Sequence, residues 1–224
     1  MFIGHYAVAL AAKRAAPRVS LGTLFLSVCW LDLLWPIFLL LGIEHVRIDP
    51  GNTPFTPLDL YDYPISHSLV AVLGWSLGFG VVYYFARRYV KGAWVLGIGV
   101  FSHWILDFIT HRPDMPISPG ATTYVGLGLW NSVVWTIIVE GALFIIGVVL
   151  YARSTVAVDR TGRYAFRSLI GFFVVMYVGN ILSPPPPNET ALAIGALLFW
   201  LIVPWGYLVD RHRKPVVGKM NSTL

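Results

Sequence analysis

The chain has 224 residues, 57% hydrophobic, 15% aromatic and only 12% charged, with a formal net charge of +5. A soluble domain carries roughly 25% charged residues. Half that density cannot cover a water-facing surface, which excludes a disordered chain, a coiled coil and an ordinary cytosolic enzyme. The single cysteine, Cys29, excludes both a disulfide framework within the chain and a cysteine-rich metal site.

In chain order, an apolar helix over residues 2–12 comes first. Eleven residues rise roughly 16 Å, about half a hydrocarbon core, so this helix is expected to be re-entrant or interfacial. Six longer apolar segments follow, at 20–43, 66–86, 92–110, 127–151, 166–182 and 190–209. Each approaches the roughly 20 apolar residues that span a bilayer. Pro36 cannot donate to the Asp32 carbonyl and predicts a kink in the first span. The expected fold class is all-α: a polytopic membrane bundle of six transmembrane helices plus the short N-terminal helix. It forms one integral membrane domain over 1–224. Residues 1–115 carry the polar candidates, 116–210 the supporting helices and 211–224 a basic tail.

Charge sets the expected orientation. Lys13, Arg14 and Arg18 precede the first span, and Arg87, Arg88 and Lys91 separate the second from the third. Arg153, Arg160, Arg163 and Arg167 separate the fourth from the fifth, and Arg211, Arg213, Lys214 and Lys219 follow the sixth. Fourteen of the sixteen Lys and Arg thus share one side, Arg47 and Arg112 being the exceptions. The positive-inside rule makes that side cytoplasmic, with both termini on it. The basic balance then reflects topology and anionic lipid, and no nucleic-acid partner is expected. On the opposite side, loops rich in proline at 44–65 and 111–126 are long enough to cap the bundle.

Three acids fall inside spans: Asp32, Asp107 and Glu140. Each costs about 2.5–3.5 kcal/mol near a helix centre, and Lys and Arg are absent from the span interiors, so no such partner is at hand. Protons, histidines or a metal ion must stabilise them. His103, Asp107 and His111 are spaced i, i+4, i+8 and share one drifting helix face. The spacing of His103 and Asp107 lets two side chains on one helix grip one cation; a buried hydrogen-bonded pair is the plainer alternative. Depth along the spans groups Asp32, His67, His103 and Asp107 between the midplane and the outer interface. His111 and Asp114 fall at the mouth. His5 joins the cluster if the first helix re-enters the bundle. Glu140, near mid-membrane, fits a ligand, a general base or a proton-carrying acid. His45 and His212 read as loop and tail residues. Nitrogen and oxygen donors suit one or two zinc ions, with manganese possible.

The order of these residues resembles the bacterial membrane-bound, metal-dependent hydrolase family of the inner membrane. The resemblance rests on Gly4-His5, on Asp32 in "WLDLLWP", on His67-Ser68 in "PISHSL" and on His103 with Asp107. It covers the first half of the chain. Many members carry His-Arg-Gly shortly before the His-Ser, where this chain has Asp62 and Tyr63. The same order is distantly similar to zinc-dependent phospholipase C. That similarity implies that Asp32, His67, His103 and Asp107 hold one metal, and that Asp107 bridges to a second held partly by His5. His111 and Glu140 would complete the site, with Asp107 and Glu140 as catalytic candidates. The implied function is hydrolysis of an amphiphilic ester, a phospholipid or lipid-linked phosphate, from the outer side of a bacterial inner membrane. A proton- or ion-coupled transporter and a non-catalytic scaffold with a structural metal are the alternatives; the lack of an internal repeat disfavours the transporter.

Overall fold

The structure is a computed structural model and describes residues 1–216; Lys219 and the rest of the expected tail, 217–224, lie outside the described residues. Helix makes up 68% of it. The chain opens with α1 (Ile3–Ala15), α2 (Leu21–Val28) and α3 (Trp30–Leu40), followed by a hairpin of β1 (His45–Ile48) and β2 (Leu58–Asp62). A single turn, α4 (Pro64–His67), leads into α5 (Leu69–Arg87) and α6 (Val90–Thr110). A second small hairpin, β3 (Met115–Pro116) with β4 (Tyr124–Val125), precedes α7 (Val133–Ser154). Next come β5 (Thr155–Ala157), α8 (Arg160–Leu182), α9 (Glu189–Leu197), α10 (Ile202–Arg211) and β6 (Arg213–Pro215).

Five helical runs are long and apolar enough to cross a membrane: α5, α6, α7, α8 and the continuous stretch Glu189–Arg211. The first expected span is broken into α2 and α3, which meet at 57°. Counting that pair as one gives six. Side chains such as Leu77 (70% exposed), Val82 (69%) and Val175 (68%) point outward from these helices. Such apolar outer faces suit acyl chains, with backbone polar groups satisfied inside each helix.

The bend falls at Cys29, not at the expected Pro36, which sits inside an unbroken α3. Neighbouring helices explain the difference. Gly99 lets α2 lie close on α6, where a Cβ would come 2.6 Å from Ser27 Oγ. Beyond the bend, α3 turns toward α9, and Trp200 Nε1 donates to the Leu33 carbonyl at 3.0 Å. The two halves answer to different partners, and the chain breaks where they part.

The short first helix is buried inside the bundle against α2, α6 and α7. Its contact with α7 is made at Gly147, where a Cβ would lie 2.7 Å from Ala7 Cα. Tyr6, Leu10, Phe25, Phe144 and Phe173 pack around it as the main apolar core.

The two ends of the bundle differ in chemistry. At one end β5 pairs with β6, Arg18 lies over the Tyr89 ring, and Lys13 reaches Asp210. This end gathers the basic residues of the α5–α6 turn, the α7–α8 connection and the end of α10. Among the described Lys and Arg residues only Arg47, on β1, and Arg112 lie at the other end, with the two hairpins. That grouping matches the alternation read from the sequence, and the loops expected to cap the bundle do so as hairpins.

Lys13 is buried and fully used: Nζ donates to the Val19 carbonyl at 2.8 Å and lies 2.6 Å from Asp210 Oδ1. Removing one member of a buried pair leaves an unpaired charge and costs about 3–5 kcal/mol. Lys13→Met is therefore expected to lower the thermal midpoint sharply. The double change with Asp210→Leu should recover most of the loss. Equal midpoints for Lys13→Met and the parent would show that the pair does not anchor α1.

Candidate metal centre

The helix break at Cys29 supplies the first part of the site. It places Asp32 in the first turn of α3, at the positive end of the helix dipole. It also leaves the Val28 carbonyl at a helix end, where it lacks the next turn's amide and is free for another donor. That donor is His103 Nδ1, at 2.7 Å. His103 and Asp107 stand one turn apart on the inner face of α6. His67 comes from the junction of α4 and α5, and His5 from the buried face of α1.

These residues converge. His5, His103 and Asp107 present donor atoms within 4.8 Å of one another, and so do Asp32, His67 and His103. Five of the six residues expected to hold metal thus form two triads sharing His103. Asp107 lies at the centre: Oδ1 is 3.1 Å from His5 Nε2, and Oδ2 is 3.0 Å from His103 Nε2 and 3.8 Å from His67 Nε2. Asp32 Oδ1 is 3.5 Å from His103 Nε2 and 3.6 Å from His67 Nε2. The Met1 amine also donates to Asp107 Oδ1, at 2.6 Å, a contact that spacing could not reveal.

The sixth, His111, caps α6 and belongs to neither triad; its Nε2 is 4.0 Å from Asp107 Oδ1. Its Nδ1 lies 3.1 Å from Asp114 Oδ1 and 3.2 Å from the Tyr63 hydroxyl. Burial and the neighbouring Asp114 carboxylate hold the Tyr63 phenol well above its ordinary range, so it stays protonated and donates to Asp114. Glu140 is placed elsewhere. Its Oε2 accepts from the Phe2 amide at 2.9 Å and the Gly4 amide at 3.3 Å, satisfying first-turn donors of α1. It docks the helix that carries His5. His45 pairs with Asp62 on the exposed hairpin, as a loop residue would.

Proton positions test whether the cluster suits a cation. His103 Nδ1 faces a carbonyl, which only accepts, so Nδ1 carries a proton and neutral Nε2 is left with a lone pair. That lone pair points at two carboxylates, which also only accept. His103 Nε2 and His5 Nδ1 are buried without a hydrogen-bond partner, even though His103 Nε2 is close to Asp107. Protonating His103 alone lets Nε2 donate to the carboxylates but leaves His5 Nδ1 unpartnered, and protonating both rings sets two charges against each other. The His5 and His103 rings stack at 3.6 Å with planes 3° apart, and two unit charges at that spacing repel by roughly 5 kcal/mol at an effective dielectric near 20. A divalent ion would satisfy lone pairs and carboxylates together. The donor set fits one.

The cluster opens into a cavity of about 160 Å³ under the hairpins, bordered by Asp32, Tyr63, His67, His111, Phe55 and Trp130. Arg112 bridges Asp59 on β2 to Asp114 and braces the roof. A larger groove of about 560 Å³ runs between α5 and α6, but Leu77, Val81, Trp94 and Ile98 make it apolar and none of the candidate residues lines it.

Reasoning from the sequence missed Glu44, Ser66 and the Val28 carbonyl. Ser66 adjoins His67 and could have been suspected; Glu44 reaches it only because the β1–β2 hairpin folds back. Comparison with protein-family models, curated proteins and solved structures finds no match to this chain.

Proposed function

We propose that this chain is a membrane-embedded, metal-dependent hydrolase acting on an amphiphilic ester, a phospholipid or lipid-linked phosphate, that enters from the hairpin end. The observation that carries the reading is the convergence of the His5, His67 and His103 rings on two carboxylates, with His103 Nε2 left without a hydrogen-bond partner, beside an open cavity. His5, Asp32, His67, His103 and Asp107 would hold one or two zinc or manganese ions. Such an ion supplies Lewis-acid polarisation of a phosphoryl or acyl oxygen.

The chain's own residues complete the site. Asp32, with 41% of its side chain exposed, faces the cavity and meets the substrate first. Trp35, Phe55 and Trp130 give an apolar wall that excludes water and accepts the substrate's hydrocarbon portion. The Tyr63 hydroxyl and Asp114 orient His111 toward Asp107. A cavity of about 160 Å³ suits a head group and its ester, with the acyl chains left in the lipid. The positive-inside rule supports placing the basic end in the cytoplasm and the cavity on the outer side of a bacterial inner membrane. The order of the motifs, similar to membrane-bound metal-dependent hydrolases, supports the same class. Against transport, the core beyond the cluster is built from Tyr6, Leu10, Phe25, Phe144 and Phe173 and offers little to an ion crossing toward the basic end.

The test is hydrolysis by purified protein in vesicles containing phosphatidylethanolamine, phosphatidylglycerol or a polyprenyl phosphate. Release of a water-soluble head group or phosphate is expected, abolished by a chelator and restored by zinc or manganese. A metal-loaded protein that turns over none of these lipids would favour a structural metal.

A further inference from the structure

Glu44 is the most deeply buried acid outside the helices, at 1% exposure, and the metal-holding residues do not include it. It lies where α3 passes into β1, yet its carboxylate points back at the segment before α5. Oε1 accepts from the Ile65 amide at 2.8 Å and the Ser66 amide at 2.6 Å. Oε2 accepts from the Ser66 hydroxyl at 2.6 Å, and the same hydroxyl lies 2.6 Å from His67 Nδ1. Glu44, Ser66 and His67 thus form a buried chain ending at the cluster.

The chain has a direction, fixed by counting protons. A serine hydroxyl has one proton to give, and an ionised carboxylate can only accept. The Ser66 proton therefore goes to Glu44, and Ser66 Oγ must accept from His67. His67 then carries its proton on Nδ1 and turns an Nε2 lone pair toward Asp32 and Asp107. If the direction were reversed, Ser66 would donate to Nδ1, and an N–H on Nε2 would point at the carboxylates. That tautomer cannot ligate a cation.

We infer that Glu44 and Ser66 are positioning residues that set the His67 tautomer for metal binding. The inference rests on the metal reading above. It assigns a role to two residues that do not touch the ion: Glu44 fixes the direction of the hydrogen bonds and Ser66 transmits it. Outer-shell partners of metal-bound histidines typically change affinity 10–100-fold when lost.

Zinc affinity by competition with a chromophoric chelator tests this, on full-length protein in detergent with helicity checked by circular dichroism. Glu44→Gln keeps the shape and the backbone acceptor. Its amide, however, donates to Ser66, frees the hydroxyl proton for His67 Nδ1 and reverses the chain. A loss of about 10–100-fold is expected. Ser66→Ala should weaken binding in the same direction, and Ser66→Thr, which keeps the hydroxyl, should restore it. If Glu44→Gln does not fold, Ser66→Ala against Ser66→Thr carries the test, because both keep the two backbone bonds to Glu44. Parent affinity in both Glu44→Gln and Ser66→Ala would overturn the relay and leave the metal reading standing. A folded parent protein that binds no zinc would overturn both. Equal weakening by Ser66→Ala and Ser66→Thr would show a packing role only and would also overturn it.

Discussion

Asp107→Asn should lose metal affinity by more than the 10–100-fold expected for an outer partner, because it removes the charge at the centre of the cluster. The substitution is nearly isosteric. Asp107 now meets His5 and the Met1 amine through one oxygen and His103 and His67 through the other. An asparagine presents one oxygen and one NH2, so one side of the cluster faces a donor and the charge is gone. Both triads are affected, since Asp107 is a member of one and adjoins the shared His103 of the other. Metal content by mass spectrometry and zinc affinity by competition give the readout, with circular dichroism as the control. A folded Asp107→Asn protein with parental zinc affinity would remove Asp107 from the site.

Gly147→Val should lower stability and metal affinity together, although it lies outside the cluster. A Cβ at this position would lie 2.7 Å from Ala7 Cα and 2.9 Å from Ala7 C. These are backbone atoms of a buried helix and cannot rotate away as a side chain would, so α1 must separate from α7. Overpacking a tight core typically costs 1–3 kcal/mol. The functional consequence goes further, because α1 carries His5, and Glu140 on α7 holds the start of α1 through the Phe2 and Gly4 amides. The expected result is a lowered thermal midpoint together with weakened metal binding. Gly141→Val on the same helix meets nothing within 4 Å and serves as the control. Parental stability and zinc affinity in Gly147→Val would show that α1 is not locked by this contact.

Much of the helical frame was legible because hydropathy runs report spans directly. Residues 66–86 and 92–110 anticipated α5 and α6 within three residues, and 127–151 anticipated α7 but began six residues early. The site was legible for a related reason: Asp32 and Asp107 are costly in an apolar span, and the spacing of His103 and Asp107 puts both on one face. The rest depended on tertiary contacts. The bend at Cys29 follows from where α6 and α9 pull the two halves, whereas Pro36 marked a local defect that the helix absorbs. Glu140 read as a mid-membrane acid, and the amides at the start of a short neighbouring helix occupy its Oε2 while Oε1 stays without a hydrogen-bond partner. Those amides leave no trace in hydropathy. Glu44 opens the proline-rich loop 44–65 and carried no signal of its own, and only the folded hairpin turns it inward.

Metal content of the purified parent protein tests the central claim most directly. The protein should be extracted in mild detergent without chelator, stripped, reloaded with zinc or manganese, and measured by inductively coupled plasma mass spectrometry against protein concentration. The account predicts about one or two ions per chain, held by two triads that share His103. Folded protein that retains no stoichiometric zinc or manganese after reloading would contradict the account.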